Sequence, residues 1–198
     1  MTIIKPYLLI SLFLLLLISG ITKAEDPKGL NIGDVAPGFR AVDQFNKQIN
    51  LYEELEKGPV VLMFYRGHWC KYCNKQLEEL SDSLKFIVEK GAFIITVTPE
   101  LKEFVDETSK QYQDAFRIIS DKEMKIMNDY KVSFEVKKTT ITRYKFAGIN
   151  LSEFNGDNGS NLPVPATYII NQQGIIDYVF FDENYKKRVS VKTLLMHL

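Results

Sequence analysis

Apolar positions along this chain switch between two spacings, and the switching predicts the elements. Residues 60–65, Val60-Val61-Leu62-Met63-Phe64-Tyr65, are continuously apolar and rich in β-formers, the pattern of a strand buried on both faces in a parallel sheet. Leu77, Leu80, Leu84, Ile87 and Val88 then recur three and four residues apart and predict one helical face, stopped by Gly91. The rhythm continues with a strand over 92–98, then a helix over 101–111 with Phe104 and Val105 inward. A strand over 116–120 follows, then a helix over 122–130 carrying Met124, Met127 and Tyr130. Residues 133–162 interrupt it with a polar, Asn/Gly-rich excursion that reads as a solvated loop. Strands over 166–170 and 175–181 pair across the turn Asn171-Gln172-Gln173-Gly174, and Ser190 caps a last helix with Val191, Leu194 and Leu195 inward. Ahead of all this, residues 39–43 and 47–51 predict a hairpin around Gln44-Phe45-Asn46, followed by one helical turn that Gly58-Pro59 stops. The expected fold is α/β: a three-layer sandwich with a central mixed β-sheet flanked by helices and an N-terminal hairpin.

The first residues follow neither period. Lys5 precedes an uncharged run over 7–18, and Thr22-Lys23-Ala24 places small residues third and first before a break at Glu25. The run is about a dozen residues, short of the ~20 that span a bilayer. Residues 1–24 are therefore expected to be a signal peptide, with an uncleaved N-terminal anchor as the alternative, and residues 25–198 one exported domain. No cysteine lies near the break, which excludes lipid attachment there.

Charge adds an exclusion. The chain carries 25 basic and 25 acidic residues, and loss of Lys5 and Lys23 with the leader leaves a net charge of about −2. That balance gives no reason to expect nucleic acid as a partner.

The candidate chemistry lies in Trp69-Cys70-Lys71-Tyr72-Cys73, between the buried strand and the amphipathic helix, and these are the chain's two cysteines. A disulfide closing so short a loop stabilises little. A zinc site normally needs four ligands, and the chain's two histidines, His68 and His197, lie far apart in sequence, so no metal is expected. Reversible thiol–disulfide exchange remains, and it needs no cofactor. A thiolate is the nucleophile, and Cys70 at the mouth of a helix faces unpaired amides and the positive dipole end. Cys70 is thus the expected attacking residue and Cys73, one turn on, the resolving one. Lys71 either supports the thiolate electrostatically or is simply solvated. Trp69 either covers the sulfurs as an apolar platform for substrate or fills core, and His68 either polarises the site or is an exposed histidine without a role.

A second feature is Leu162-Pro163-Val164-Pro165-Ala166-Thr167-Tyr168-Ile169-Ile170, a strand with proline directly before it. With the dithiol, this resembles the thioredoxin-like superfamily. That resemblance implies that Pro165 is a cis residue packed against the sulfurs, and that the backbone of Val164 pairs with an incoming substrate strand. The run from Phe64 to Asn74 (Phe64-Tyr65-Arg66-Gly67-His68-Trp69-Cys70-Lys71-Tyr72-Cys73-Asn74), the Gly148-Ile149-Asn150-Leu151 segment and residues 162–170 are similar to the peroxiredoxin-like branch of the AhpC/TSA (alkyl hydroperoxide reductase/thiol-specific antioxidant) family. The likeness covers roughly residues 32–196.

Two departures bear on what the resemblance implies. Peroxiredoxins carry Pro and Thr or Ser seven and three residues before the reactive cysteine, where this chain has Met63 and Gly67, and an arginine where this chain has Pro165. Arg66 is the candidate to stand in for that arginine. The buried acids of thioredoxin-like reductases align with Gln76 and Phe64, which leaves Glu78, Glu79 and Glu100, each read as a solvated charge or, alternatively, a proton acceptor. The leading expectation is an exported thiol–disulfide redox enzyme acting on a protein or small-molecule disulfide or thiol, with an external reductant. The alternatives are a thiol-dependent peroxidase taking a hydroperoxide, and a non-enzymatic dithiol binding module whose excursion, with Lys137, Lys138, Arg143 and Lys145, forms a contact surface.

Overall fold

A computed structural model describes residues 26–113 and 115–198; the expected leader, residues 1–24, lies outside them. The central sheet has the order β5-β4-β3-β8-β9, from β3 (Val60–Phe64), β4 (Phe93–Thr98), β5 (Arg117–Ser120), β8 (Ala166–Ile170) and β9 (Ile176–Phe181). β3 runs parallel to β4, and β4 to β5, whereas β8 is antiparallel to both β3 and β9. The sheet is therefore mixed, as the strand–helix alternation and the closing strand pair required.

Every residue of β3 is buried because the strand divides its side chains between two cores. Val60, Leu62 and Phe64 join one with Phe39 and Ile49 of the hairpin, formed by β1 (Arg40–Val42) and β2 (Gln48–Asn50). Leu51 and Leu55 of α1 (Leu51–Leu55) and Ile126 and Met127 of α5 (Lys125–Asp129) complete that layer. Val61, Met63 and Tyr65 join the other core, with Leu77 and Leu80 of α2 (Lys71–Asp82) and Ile87 of α3 (Leu84–Glu89). Val105 of α4 (Lys102–Gln111) and Leu194 of α8 (Val191–His197) close it. Each fully buried aliphatic side chain contributes roughly 1.5–3 kcal/mol of transfer free energy, so β3 anchors both layers. Asn46 turns the hairpin at φ 60°, Gly91 ends α3 at φ 76°, and Ser190 Oγ accepts from Thr193 N at 3.1 Å as the cap of α8.

Three expectations change. The helix after the cysteines is two helices, broken at Ser83 (φ −102°, ψ 4°), so the phase resets and Val88 is 56% exposed rather than inward. The helix expected over 122–130 is a 3₁₀ turn (Lys122–Met124) and then α5, separated by left-handed Glu123 and Met124. The buried carboxylate of Asp121 explains the restart: it accepts from Ile126 N at 3.1 Å and Met127 N at 2.8 Å, satisfying the first amides of α5. Burial still pushes Asp121 up, to about 6.

The excursion over 133–162 is not a loop. It contains β6 (Ser133–Glu135), α6 (Lys138–Phe146), α7 (Leu151–Asn155) and β7 (Asn161–Pro163), with β6 and β7 paired antiparallel. A small core of its own, Val136, Leu151 and Leu162 with Phe134, Ile141, Tyr144 and Ile149 against it, holds these pieces, and Trp69 joins that cluster.

Candidate active site around Cys70 and Cys73

The chain leaves β3 through Tyr65, Arg66 and Gly67 and enters α2 at Lys71. Gly67 sits at φ +147°, and a Cβ there would lie 2.5 Å from both Glu100 Oε1 and Trp69 Nε1. The position where peroxiredoxins carry Thr or Ser is therefore closed to any side chain. Cys70 is the N-cap of α2, its N–H donating to Gly67 O at 3.1 Å, and its carbonyl accepts from Cys73 N at 2.8 Å and Asn74 N at 3.0 Å. The first turn of the helix thus stacks the two side chains, with the sulfurs 2.7 Å apart. Both cysteines are free and buried.

Their environments are opposite. Cys70 is lowered to about 6, first because the Cys73 S–H donates to its sulfur, and then because the guanidinium groups of Arg66 and Arg188 outweigh part of the burial cost. Burial pushes Cys73 well above the ordinary thiol value, and the neighbouring Cys70 pushes it further the same way. Arg188 Nη2 stands 3.4 Å from Cys73 Sγ. Lys71 is exposed, with its ammonium 5.2 Å from the Tyr72 ring centroid. Arg188 was invisible in the sequence, where it ends an ordinary basic run, Lys186-Lys187-Arg188.

Arg66 is 3% exposed and lies beneath three aromatic rings, 4.9 Å from the Trp69 centroid, 5.5 Å from Tyr144 and 4.4 Å from Tyr185. It also donates to the Tyr144 hydroxyl. Cation–π contact suits a guanidinium that must stay charged while nearly dry. Trp69 packs 5.5 Å from Tyr144, so the excursion's α6 supplies part of the site wall.

Two residues read as solvated or idle prove to be neither. Glu100 is wholly buried, and its carboxylate accepts from His68 N at 2.9 Å and lies 2.6 Å from His68 Nδ1. His68 stacks on Phe104 with centroids 5.0 Å apart and meets the edge of Phe154. Burial raises the Glu100 carboxyl and the hydrogen bond to Glu100 raises the His68 imidazole, so the two form one proton-sharing pair. That pair pins the segment between β3 and Cys70. Glu78 and Glu79 are exposed, as expected.

The expected cis-proline is not found. Among the described residues there is no cis peptide bond, so Pro165 follows a trans bond. Val164 N donates to Val132 O at 2.8 Å, extending the β6/β7 pairing, and the amide expected to receive a substrate strand is thereby occupied. Val164 and Pro165 instead line a cleft of about 650 Å³, together with Arg66, Tyr144 and Tyr185.

Residues 32–179 match the AhpC/TSA family. The thiol-disulfide oxidoreductase ResA of Bacillus thuringiensis is 31% identical over 140 residues, 65% of this chain and 78% of that protein. ResA of Bacillus cereus is 33% identical over 108 residues, 54% of this chain, and the match spans 61% of the relative's length. Chloroplastic peroxiredoxin Q of Triticum aestivum is 24% identical over 148 residues, 75% of this chain and 58% of the relative. Among solved structures, peroxidoxin BcpB from Mycobacterium tuberculosis superposes with a TM-score of 0.66 at 17% identity, over 85% of this chain and 96% of that one. A cysteine-to-serine mutant of PrxQ from Xylella fastidiosa gives a TM-score of 0.65 at 14% identity, over 85% and 95%. These superpositions establish a thioredoxin-like, peroxiredoxin-type fold.

Proposed function

The chain belongs to the AhpC/TSA family and is an oxidoreductase like its relatives, and from that premise we propose that it is an exported thiol–disulfide oxidoreductase with Cys70 as nucleophile and Cys73 as resolving cysteine. One observation carries the reading. The Cys70 thiol, at the N-cap position of α2, is lowered to about 6, while its partner 2.7 Å away is raised by burial. A thiolate and a protonated thiol side by side are the two species that a two-step exchange consumes.

The Cys70 thiolate attacks one sulfur of a substrate disulfide, forming a mixed disulfide and expelling the other sulfur as a thiolate. Cys73 gives up its proton and attacks Cys70 Sγ, forming the Cys70–Cys73 disulfide and releasing the second substrate thiol. Two electrons pass from the dithiol to the substrate, and an external thiol reductant returns them. Arg66 and Arg188 hold charge on the sulfurs throughout. Trp69 and the Val164–Pro165 wall of the cleft border the substrate. The leader-like residues 1–24 support export, where an oxidising compartment makes such a couple useful.

The test is reduction of an insulin-type disulfide. Wild type is expected to turn over, Cys70→Ser to be inert, and Cys73→Ser to accumulate the mixed disulfide, visible by mass spectrometry. Equal reduction by wild type and Cys70→Ser overturns the reading.

A second reading, a thiol-dependent peroxidase, has one observation in its favour: the Arg66 guanidinium both acts on the Cys70 sulfur and lines the cleft, where it would polarise a hydroperoxide. The closed Gly67 position argues against it. Stopped-flow Trp69 fluorescence separates the two, because a rate with hydrogen peroxide no faster than that of a free thiol removes the peroxidase.

A further inference from the structure

We propose that the outer face of α6 is an electrostatic docking surface for an acidic protein partner whose disulfide or thiol exchanges with Cys70; this rests on the exchange reading above and names its partner class. On α2, α3, α4 and α5 a lysine pairs with a carboxylate one turn on: Lys75 with Glu79, Lys85 with Glu89, Lys102 with Asp106, Lys125 with Asp129. Such pairing keeps a helix surface close to neutral.

α6 breaks that habit. Lys137 precedes it, Lys138, Arg143 and Lys145 lie on it, and no acidic residue occurs between Glu135 and Glu153. All four cations are exposed, and none makes a salt bridge among the described residues. The helix turns Ile141 and Tyr144 inward to the small core and leaves no residue fully buried. Phe146 at its end is 89% exposed, an apolar contact point beside the charges. Three carboxylates, Asp26, Glu135 and Glu183, line the cleft together with Lys137.

Position makes this surface functional. Tyr144 on the inner face touches both Trp69 and Arg66, so α6 stands one side chain from the residue preceding Cys70. From residue 138 to 145 the helix rises about 10 Å, longer than a small ligand and suited to a protein face. Like-signed unpaired charge raises encounter rates with an opposite face and is screened by salt.

The experiment uses three cystine-bridged peptides, flanked by glutamate, glutamine or lysine, and the neutral probe hydroxyethyl disulfide. With wild type, kcat/KM for the acidic peptide is expected to exceed that for the neutral one by about tenfold at low salt and to converge with it at high salt. Lys138→Glu/Arg143→Glu/Lys145→Glu should erase that preference and leave hydroxyethyl disulfide turnover and Trp69 fluorescence unchanged. The glutamine triple variant should fall between. Binding of the acidic peptide to Cys70→Ser/Cys73→Ser protein, read by anisotropy, tests the surface independently of exchange. Salt-dependent binding there without turnover in wild type sinks the exchange reading and keeps the surface. Equal rates for the three peptides, a preference that survives the triple variant, or loss of phosphatidylglycerol-vesicle binding in that variant with peptide kinetics unaltered overturns the proposal.

Discussion

The segment from β3 to α2 and the excursion over 133–162 meet at Trp69, yet they are held in different ways. The first has Val60, Leu62 and Phe64 in one core and Val61, Met63 and Tyr65 in the other, with α2 adding Leu77 and Leu80. The second has three buried apolar residues of its own, Val136, Leu151 and Leu162, and is tied to the rest by Leu101 N donating to Phe154 O and by Asn158 Nδ2 donating to Pro99 O and Asp121 O. The first supplies the two sulfurs; the second supplies Tyr144 and one wall of the cleft. The contrast teaches a division of labour. Sulfur geometry comes from the most deeply packed strand–helix junction, whereas the surroundings come from an excursion with a small core of its own.

Breaking the chemistry of the first region gives the largest effect. Cys70→Ser is expected to lower disulfide reduction by about a thousandfold or more, because no other thiol in the chain has a lowered pKa. Residual turnover within tenfold of wild type would show that the β3–α2 junction does not own the reaction.

Packing comes next. Leu77→Ala should cost about 2–5 kcal/mol of global stability in urea titration, as a cavity in a dense core does. Leu162→Ala should cost less, about 2 kcal/mol, with faster hydrogen exchange confined to residues 133–162 and β3 protected as before. Equal acceleration in β3 and α6 would erase the distinction between the two regions.

Gly67→Thr sharpens the comparison at the seam. The substitution builds the peroxiredoxin hydroxyl position, but its Cβ meets Glu100 and Trp69 at 2.5 Å on a backbone at φ +147°. A loss of about 1–3 kcal/mol is expected without gain of peroxidase rate. A stable, faster peroxidase would contradict the closed site.

Smaller effects follow from the electrostatics. Iodoacetamide alkylation of reduced wild type should rise with pH about a midpoint near 6, since only the Cys70 thiolate reacts and its fraction falls as pH drops through that value. Removing a cation in Arg188→Met raises the midpoint, so alkylation at pH 6 should slow by about threefold. Lys71→Ala, an exposed lysine outside the charge balance of Cys70, should change that rate by less than about twofold. A larger response to Lys71 than to Arg188 would reverse the assignment.

Much of the sheet was legible from local pattern. Val60 to Phe64 reads as a buried strand because both faces are apolar, and the strand pair around Asn171 to Gly174 announces itself by turn chemistry. The insertion was not legible, because a short helix such as α6, with no fully buried residue, has no continuous apolar stripe to reveal it. Val88 and the break at Glu123–Met124 failed for another reason: Ser83 and Asp121 act through backbone geometry and capping that apolar periodicity does not encode.

The sequence by itself determined the dithiol at a strand–helix junction, the mixed α/β sheet and the family, because these follow from spacing and alternation within a few consecutive residues. Only the tertiary structure decided which charges govern the sulfurs. Arg188 lies 115 residues from Cys73 and Tyr144 lies 78 from Arg66, while Glu100 lies 32 from His68. Burial turned Glu100 from an ordinary acid into the anchor of the active-site segment, and the peptide before Pro165 is trans, with the Val164 amide bonded to Val132 O. Electrostatic and hydrogen-bonding partners are chosen by proximity in space and by exclusion of water, and neither is a property of neighbouring letters in the chain.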